Sequence, residues 1–304
     1  MLGGRLRRGV KMPKYIYIDN WVLNSLNDQI FEHLLVKFII ENKLVVLLSS
    51  FSFIELYNPS WEKYQNCDRV SKAVKIYSKV PCVIVDPQKV WYKELQNKLN
   101  KLYQLPIELD LSDMDQELRS EVLLKFLRAD EIFLSQGKDI RKWVENYKKI
   151  KESWFEDTEN IIKNGIDCGY LYRDHSGKYI KLSETKETFL YSFDFRLSNE
   201  SQVNEILTEH LKMKKNGQLL KMTAVRMSSL LFWYLYIDID PSNKIKQQKS
   251  DIGDIYNMCI IPYSTVFTID SSMLRLLSRF SITENIGRCE FLDQKELFRR
   301  ISYI

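Results

Sequence analysis

The stretch that decides the fold runs from Lys249 to Asp270, "KSDIGDIYNMCIIPYSTVFTID". It holds aspartates at 251, 254 and 270, and "VFTI" before the last of them reads as a buried strand. Aspartate is mostly exposed in folded proteins, so one set straight after a buried strand needs a positional reason. A parallel sheet supplies it, because residues just past its C-terminal strand ends converge on one edge where ligands bind.

Working outward, the same alternation recurs. A helix over 251–261 precedes the strand "TVFTID" (265–270); helix 271–280, strand "CEFLD" (289–293) and a last helix follow. At the other end of the chain, "KYIYID" (14–19) is a β-branched and aromatic run closed by Asp19. Apolar residues at Val22, Leu26, Ile30, Leu34 and Phe38 then keep helical spacing. "KLVVLLSS" (43–50) is nearly continuous in apolar residues, as expected of a parallel strand covered on both faces. A short helix around "FSFIELY" carries Glu55, residues 61–79 read as another helix, and "VPCVIVD" (80–86) as a third strand. The pattern predicts an α/β fold of three layers, α/β/α, with a parallel central sheet and right-handed crossovers.

The middle has another character. Charged amphipathic segments such as "SDMDQELRSEVLLKFLRADEIFL" predict helices, and "GYLYRDHSGKYIKL" predicts a β-hairpin turning at "HSG". Asn199 with Gln202 suits a helix cap. The expected organisation is a disordered basic tail over 1–13, a sheet domain over 14–92 and 249–304, and a mostly helical insertion over 93–248. Met12 is a candidate start, with the preceding residues a tail.

Composition bounds the function. The chain has 304 residues, 45% hydrophobic and 28% charged, which suits a globular protein with a real core and excludes disorder on a domain scale. A net charge of +5 permits a nucleic-acid partner without demanding one. Five scattered cysteines without a CxxC pair point to reduced thiols, hence a cytoplasmic setting, and away from a disulfide frame or zinc site. No apolar run of about 18 residues argues for a membrane span. The histidines at 33, 175 and 210 show no metal spacing, and neither GxSxG nor a Walker A pattern occurs.

Asp19, Glu55, Asp251, Asp254 and Asp270 are thereby delivered to one edge from separate segments. Like charges about 4 Å apart repel by roughly 1 to 4 kcal/mol at effective dielectrics of 80 to 20. Hard divalent cations remove that cost and favour oxygen ligands, so such a cluster without His or Cys suits Mg²⁺ or Mn²⁺.

These segments resemble the motifs of PIN-domain nucleases. "YIDNWVL" is similar to their opening motif, "LLSSFSFIEL" to the second, and "SDIGDIYNMCIIPYSTVFTID" to the third and fourth in the variant where "PY" precedes a strand ending in Thr-x-Asp. The resemblance covers residues 14–86 and 249–304 and implies a PIN-like fold. It implies that Asp19, Glu55, Asp251 or Asp254, and Asp270 bind metal, supported by Asn20 and Thr268. Thr265 stands where relatives with the "PY" motif often have Asp. The implied activity is metal-dependent hydrolysis of RNA phosphodiesters. The alternatives are a structure-specific DNA nuclease, or an inactive PIN-like module that binds RNA or a protein partner.

Structural readings stand beside these. Asp19 and Asp270 suit helix caps at strand ends, and one of Asp251 and Asp254 suits a first-turn acid. The acidic run "ELDLSDMDQE" lacks the glycine of a calcium loop, and Ser112 with Asp115 reads as a capping box. The basic stretch "KKIK" (148–151) suits a solvated helix face. With Tyr147, Trp154, Tyr170, Tyr172 and Tyr179 nearby, however, Lys148, Lys149 and Lys151 also suit single-stranded RNA. A protein partner or a second copy of the chain stays open.

Overall fold

The computed structural model describes residues 13–24, 29–52, 68–96, 105–128, 130–149, 152, 171–173, 179–182, 224, 251–279 and 289–303. Its centre is a six-stranded sheet in the order β4-β3-β2-β1-β7-β8. The strands are β1 (Lys14–Tyr17), β2 (Leu44–Ser49), β3 (Cys82–Val85), β4 (Ile107–Asp110), β7 (Val266–Thr268) and β8 (Glu290–Leu292). Five run parallel; β4 pairs antiparallel with β3 at the edge. β1 lies centrally, with Tyr17 opposite Leu47 on one side and Phe267 on the other. From β1 the chain steps outward through β2 and β3, and later from β7 to β8 in the opposite direction. The crevice between β1 and β7 is therefore the topological switch point of the sheet.

The pleat sends alternate side chains to opposite faces, and both sets are buried. Ile16, Val46, Ile84 and Val266 join one apolar cluster with α2 (Gln29–Glu41), α3 (Asp68–Tyr77), α5 (Gln116–Leu127) and α10 (Gln294–Ser302). Phe31 of α2 meets Phe298 of α10 there, ring centroids 4.5 Å apart. On the other face Tyr17 stacks on Phe267 at 4.4 Å. That face also receives α8 (Asp251–Met258) through the bond between Ser49 and Asn257. Beside it lies α4 (Pro87–Gln96), whose buried Glu94 accepts from Tyr263 Oη at 2.6 Å. Full burial of such apolar side chains is worth about 1.5–3 kcal/mol each, which explains the near-continuous apolar runs of β2 and β3. Helices on both faces of a mostly parallel sheet make this an α/β fold compatible with three layers.

Several expectations need correction. The helical run expected after β1 is described in two segments, α1 (Asn20–Asn24) and α2. The buried face of α2 differs from the expected spacing: Phe31, Leu35, Phe38 and Ile39 are buried, whereas Ile30 is 69% exposed. Residues 105–127, expected within the insertion, belong to the sheet unit. β4 extends the sheet, and the buried Arg119 donates from Nη1 to Ser78 O at 2.8 Å and from Nε to Leu111 O at 2.9 Å, tying α5 to both neighbours. The capping box is also corrected. Asp115 is itself the N-cap of α5, accepting from Leu118 N at 2.8 Å, while Ser112 donates to Asp110.

Beyond α5 come α6 (Glu131–Ser135), α7 (140–149) and the antiparallel pair β5 (Leu171–Arg173) and β6 (Tyr179–Leu182), the hairpin read from the sequence. The basic tail up to residue 12 and the proposed cap at Asn199 and Gln202 lie outside the described residues. No helix among the described residues is long and apolar enough to cross a membrane.

Candidate functional site

Each parallel strand but one is followed by an aspartate at the C-terminal edge: Asp86 after β3, Asp19 after β1, Asp270 after β7 and Asp293 after β8. β2 alone ends in Ser49. All four aspartates bond to the backbone that follows. Asp19 Oδ1 accepts from Asn20 N at 2.7 Å, and Asp86 Oδ1 from Gln88 N at 2.9 Å. Asp293 caps α10 through Glu296 N at 2.8 Å. Asp270 Oδ1 accepts from Ser272 N at 2.8 Å and Met273 N at 3.0 Å, and also from Ser272 Oγ, at the start of α9 (Ser271–Arg279). The helix caps foreseen as the structural alternative are therefore real at Asp270 and extend to Asp293.

Capping leaves capacity for a ligand. Asp270 is exposed, and its Oδ2 accepts no hydrogen bond from the described residues. Asp19 is partly exposed at the adjacent strand end, and neighbouring strands lie only about 4.8 Å apart. Its backbone N–H donates to Thr268 Oγ1 at 2.7 Å, so the fully buried Thr268 clamps the end of β1 to β7. Burial first, then the Cys82 thiol and the Asp19 carboxylate, push the Tyr77 phenol on α3 far up and keep it neutral.

A second set of contacts holds α8 against the end of β2. Ser49 Oγ donates to Asn257 Oδ1 at 2.6 Å, with both residues buried. Phe51 stacks on Tyr256 at 4.6 Å and takes the edge of Tyr147 at 5.2 Å. Tyr17 Oη and Ser52 Oγ bond at 3.0 Å. Asp254, partly exposed, lies one turn before Asn257 on α8. Through Tyr147, α7 is docked beside this edge, with Lys148 and Lys149 exposed on it.

Of the residues singled out from sequence, Asp19 and Asp270 follow the adjacent parallel strands β1 and β7, and Thr268 Oγ1 accepts the Asp19 backbone N–H. Asn20 opens α1, and Asp251 opens α8, its side chain outside the description. Glu55 and Lys151 lie outside the described residues. Among the described residues no group of three or more His, Cys, Asp or Glu is arranged to hold a metal ion. The donors that are described at the switch point are carboxylates and a hydroxyl, with no imidazole or thiolate, and that chemistry fits a hard divalent cation.

Sequence reasoning passed over Asp86, Asp293, Ser49 and Asn257. The first two carried the same strand-then-Asp pattern in "VIVD" and "EFLD". Asp86, two strands from β1, is about 10 Å off the crevice by strand spacing. Nothing local marks Ser49 and Asn257, because their bond spans 208 residues.

Comparison with protein-family models, with curated proteins and with solved structures found no match.

Proposed function

We propose that this chain is a PIN-like endoribonuclease dependent on Mg²⁺ or Mn²⁺. The observation that carries the reading is the clamp between Asp19 N and Thr268 Oγ1, which ties together the ends of β1 and β7, each followed by an aspartate, at the switch point. Asp19 and the Oδ2 side of Asp270 would hold the cation, with Asp254 or Asp251 and Glu55 completing the acidic edge. A bound divalent cation offsets carboxylate repulsion and neutralises charge on a phosphodiester. Asp270 is kept oriented by the α9 backbone, and Asp19 by Thr268 and Asn20. Lys148 and Lys149 would attract the RNA backbone, with single-stranded RNA the preferred partner. Hydrolysis by water in line with the leaving oxygen leaves a 3′-hydroxyl and a 5′-phosphate. A cytoplasmic setting is part of this reading.

The test is cleavage of labelled RNA, single-stranded DNA and duplex DNA in Mn²⁺ and in EDTA. Cutting of RNA in Mn²⁺ alone, abolished by Asp19→Asn, supports the reading; cutting of duplex DNA alone moves it to a structure-specific DNA nuclease.

A second reading has its own observation. Because all four strand-end aspartates bond to following backbone, the same edge suits an inactive PIN-like module that binds RNA or a protein partner. RNA binding without cleavage and without metal-induced stabilisation favours it.

A further inference from the structure

We propose that Asn257 and Ser49 form a positioning pair that sets the rotation of α8 and thereby aims Asp254 at the metal. This inference rests on the nuclease reading above. α8 sits on one face of the sheet, and a helix resting on a sheet can slide or rotate unless something specific holds it. Two such holds act on consecutive residues. Tyr256 stacks flat on Phe51, with ring centroids 4.6 Å apart and planes 8° from parallel. Asn257 Oδ1 accepts from Ser49 Oγ at 2.6 Å, shorter than the usual hydroxyl hydrogen bond.

Ser49 is the last residue of β2 and Phe51 lies in the helical residues 50–52 directly after it; among the described parallel strands, β2 alone is not followed by an aspartate. Ser49 is 0% exposed and Asn257 3% exposed. A buried amide is costly unless bonded, so the position is not one that any polar residue fills at random. Ser49 Oγ in turn accepts from Phe51 N at 3.2 Å, which fixes the hydroxyl's direction and seats the Phe51 ring. The polar and the aromatic hold are therefore one device.

Its consequence lies one turn away. Residues three apart on a helix share a face, so fixing the phase at 257 fixes it at 254. Asp254 is thereby kept partly exposed, one turn before the Ser49–Asn257 bond, on the helix held against the end of β2, the strand next to β1. The pair touches no reacting atom and acts only through the helix.

The experiment measures Mn²⁺ binding by titration calorimetry and, separately, melting in EDTA, for the full chain and for Ser49→Ala, Asn257→Leu, their double variant, Ser49→Thr and Asn257→Gln. Ser49→Ala and Asn257→Leu are expected to raise the Mn²⁺ Kd about 10-fold, the lower end of what partners orienting metal ligands contribute. The double variant is expected to match either single, because the two act as a unit. Ser49→Thr keeps the hydroxyl and restores binding. Asn257→Gln keeps the amide on a longer arm, folds, and still weakens Mn²⁺.

Unchanged Kd in the folded variants, with lowered melting in EDTA alone, overturns the pair's positioning role while the nuclease reading stands. If a truncating variant does not fold, Asn257→Gln decides alone, and wild-type affinity there overturns the inference. Absence of Mn²⁺ binding by the unmodified chain overturns the nuclease reading, and this inference with it.

Discussion

Thr268 Oγ1 accepts the backbone N–H of Asp19 at 2.7 Å, a side-chain bond that continues the β1–β7 pairing past the last residues of the ladder. The register pairs Ile16 with Val266 and Tyr17 with Phe267, so the next step would leave Asp19 N–H without a strand partner. A buried hydroxyl at the end of β7 supplies it. Thr268→Val keeps shape and β-propensity but leaves that N–H unsatisfied. We expect a loss of about 1–3 kcal/mol in urea unfolding, while Thr268→Ser loses less. A Val variant as stable as the parent would show that the clamp is dispensable.

Asp270 has two separable duties. Asn caps helices about as well as Asp, so Asp270→Asn should melt in EDTA at or above the parent's temperature. In Mn²⁺ at 100 times Kd the parent should gain about 2.7 kcal/mol and the Asn variant clearly less. Asp270→Ala should in addition lose about 1 kcal/mol in EDTA from the missing cap. Equal metal stabilisation of parent and Asp270→Asn would leave only the cap.

Glu32, 7% exposed on α2, accepts from Lys75 Nζ at 2.7 Å and Lys79 Nζ at 2.6 Å on α3 and the turn after it. Burial raises its carboxyl, but the two lysine bonds together outweigh burial and hold it below the ordinary glutamate range. The stabilisation is thus full above the unfolded value and fades as pH falls through the depressed folded value. Glu32→Gln should cost about 1–2 kcal/mol at pH 7, limited because both lysines reach solvent. The deficit should shrink in acid, and a deficit equal at pH 7 and pH 3 would contradict this account.

Asp86 behaves in the opposite sense. Burial, aided by the Glu108 carboxylate, raises its carboxyl despite the bonds from Gln88 and Lys89. The folded state therefore holds that proton more tightly than the unfolded chain. Its contribution to stability falls as pH rises from the ordinary value of 3.8 to the raised folded value. Asp86→Asn retains an acceptor for Gln88 N–H without the charge. Melting curves should show the variant ahead at pH 7, with its lead narrowing toward pH 4. A variant behind the parent at pH 7 would reverse the assignment.

Lys148 and Lys149 follow Tyr147, whose ring meets Phe51 at the site edge. Replacing both with Glu should weaken single-stranded RNA binding. It should also flatten the salt dependence by about 0.7 in log–log slope for each phosphate that the lysines no longer neutralise. Mn²⁺ affinity should not change. Filter binding across a salt series is the measurement, and an unaltered slope removes α7 from the RNA path.

What the sequence determined by itself is the set of strands that form the parallel sheet. Five apolar runs, each followed by a helical pattern, appear as β1, β2, β3, β7 and β8. Burial on both faces leaves a continuous apolar signature that needs no knowledge of neighbours. The strand-end positions of Asp19 and Asp270 were legible for the same reason. Tertiary structure decided everything that depends on a distant partner. β4 is short, acidic and half-exposed, and only its pairing with β3 makes it a strand. The phase of α2 follows from where α3 and α10 meet it, so Ile30 faces outward although its spacing suits a core. Ser49 and Asn257 sit 208 residues apart, and their bond exists because the sheet brings the end of β2 under α8. Local patterning encodes how much of an element is buried; which residue it meets there is set by the packing of the whole chain.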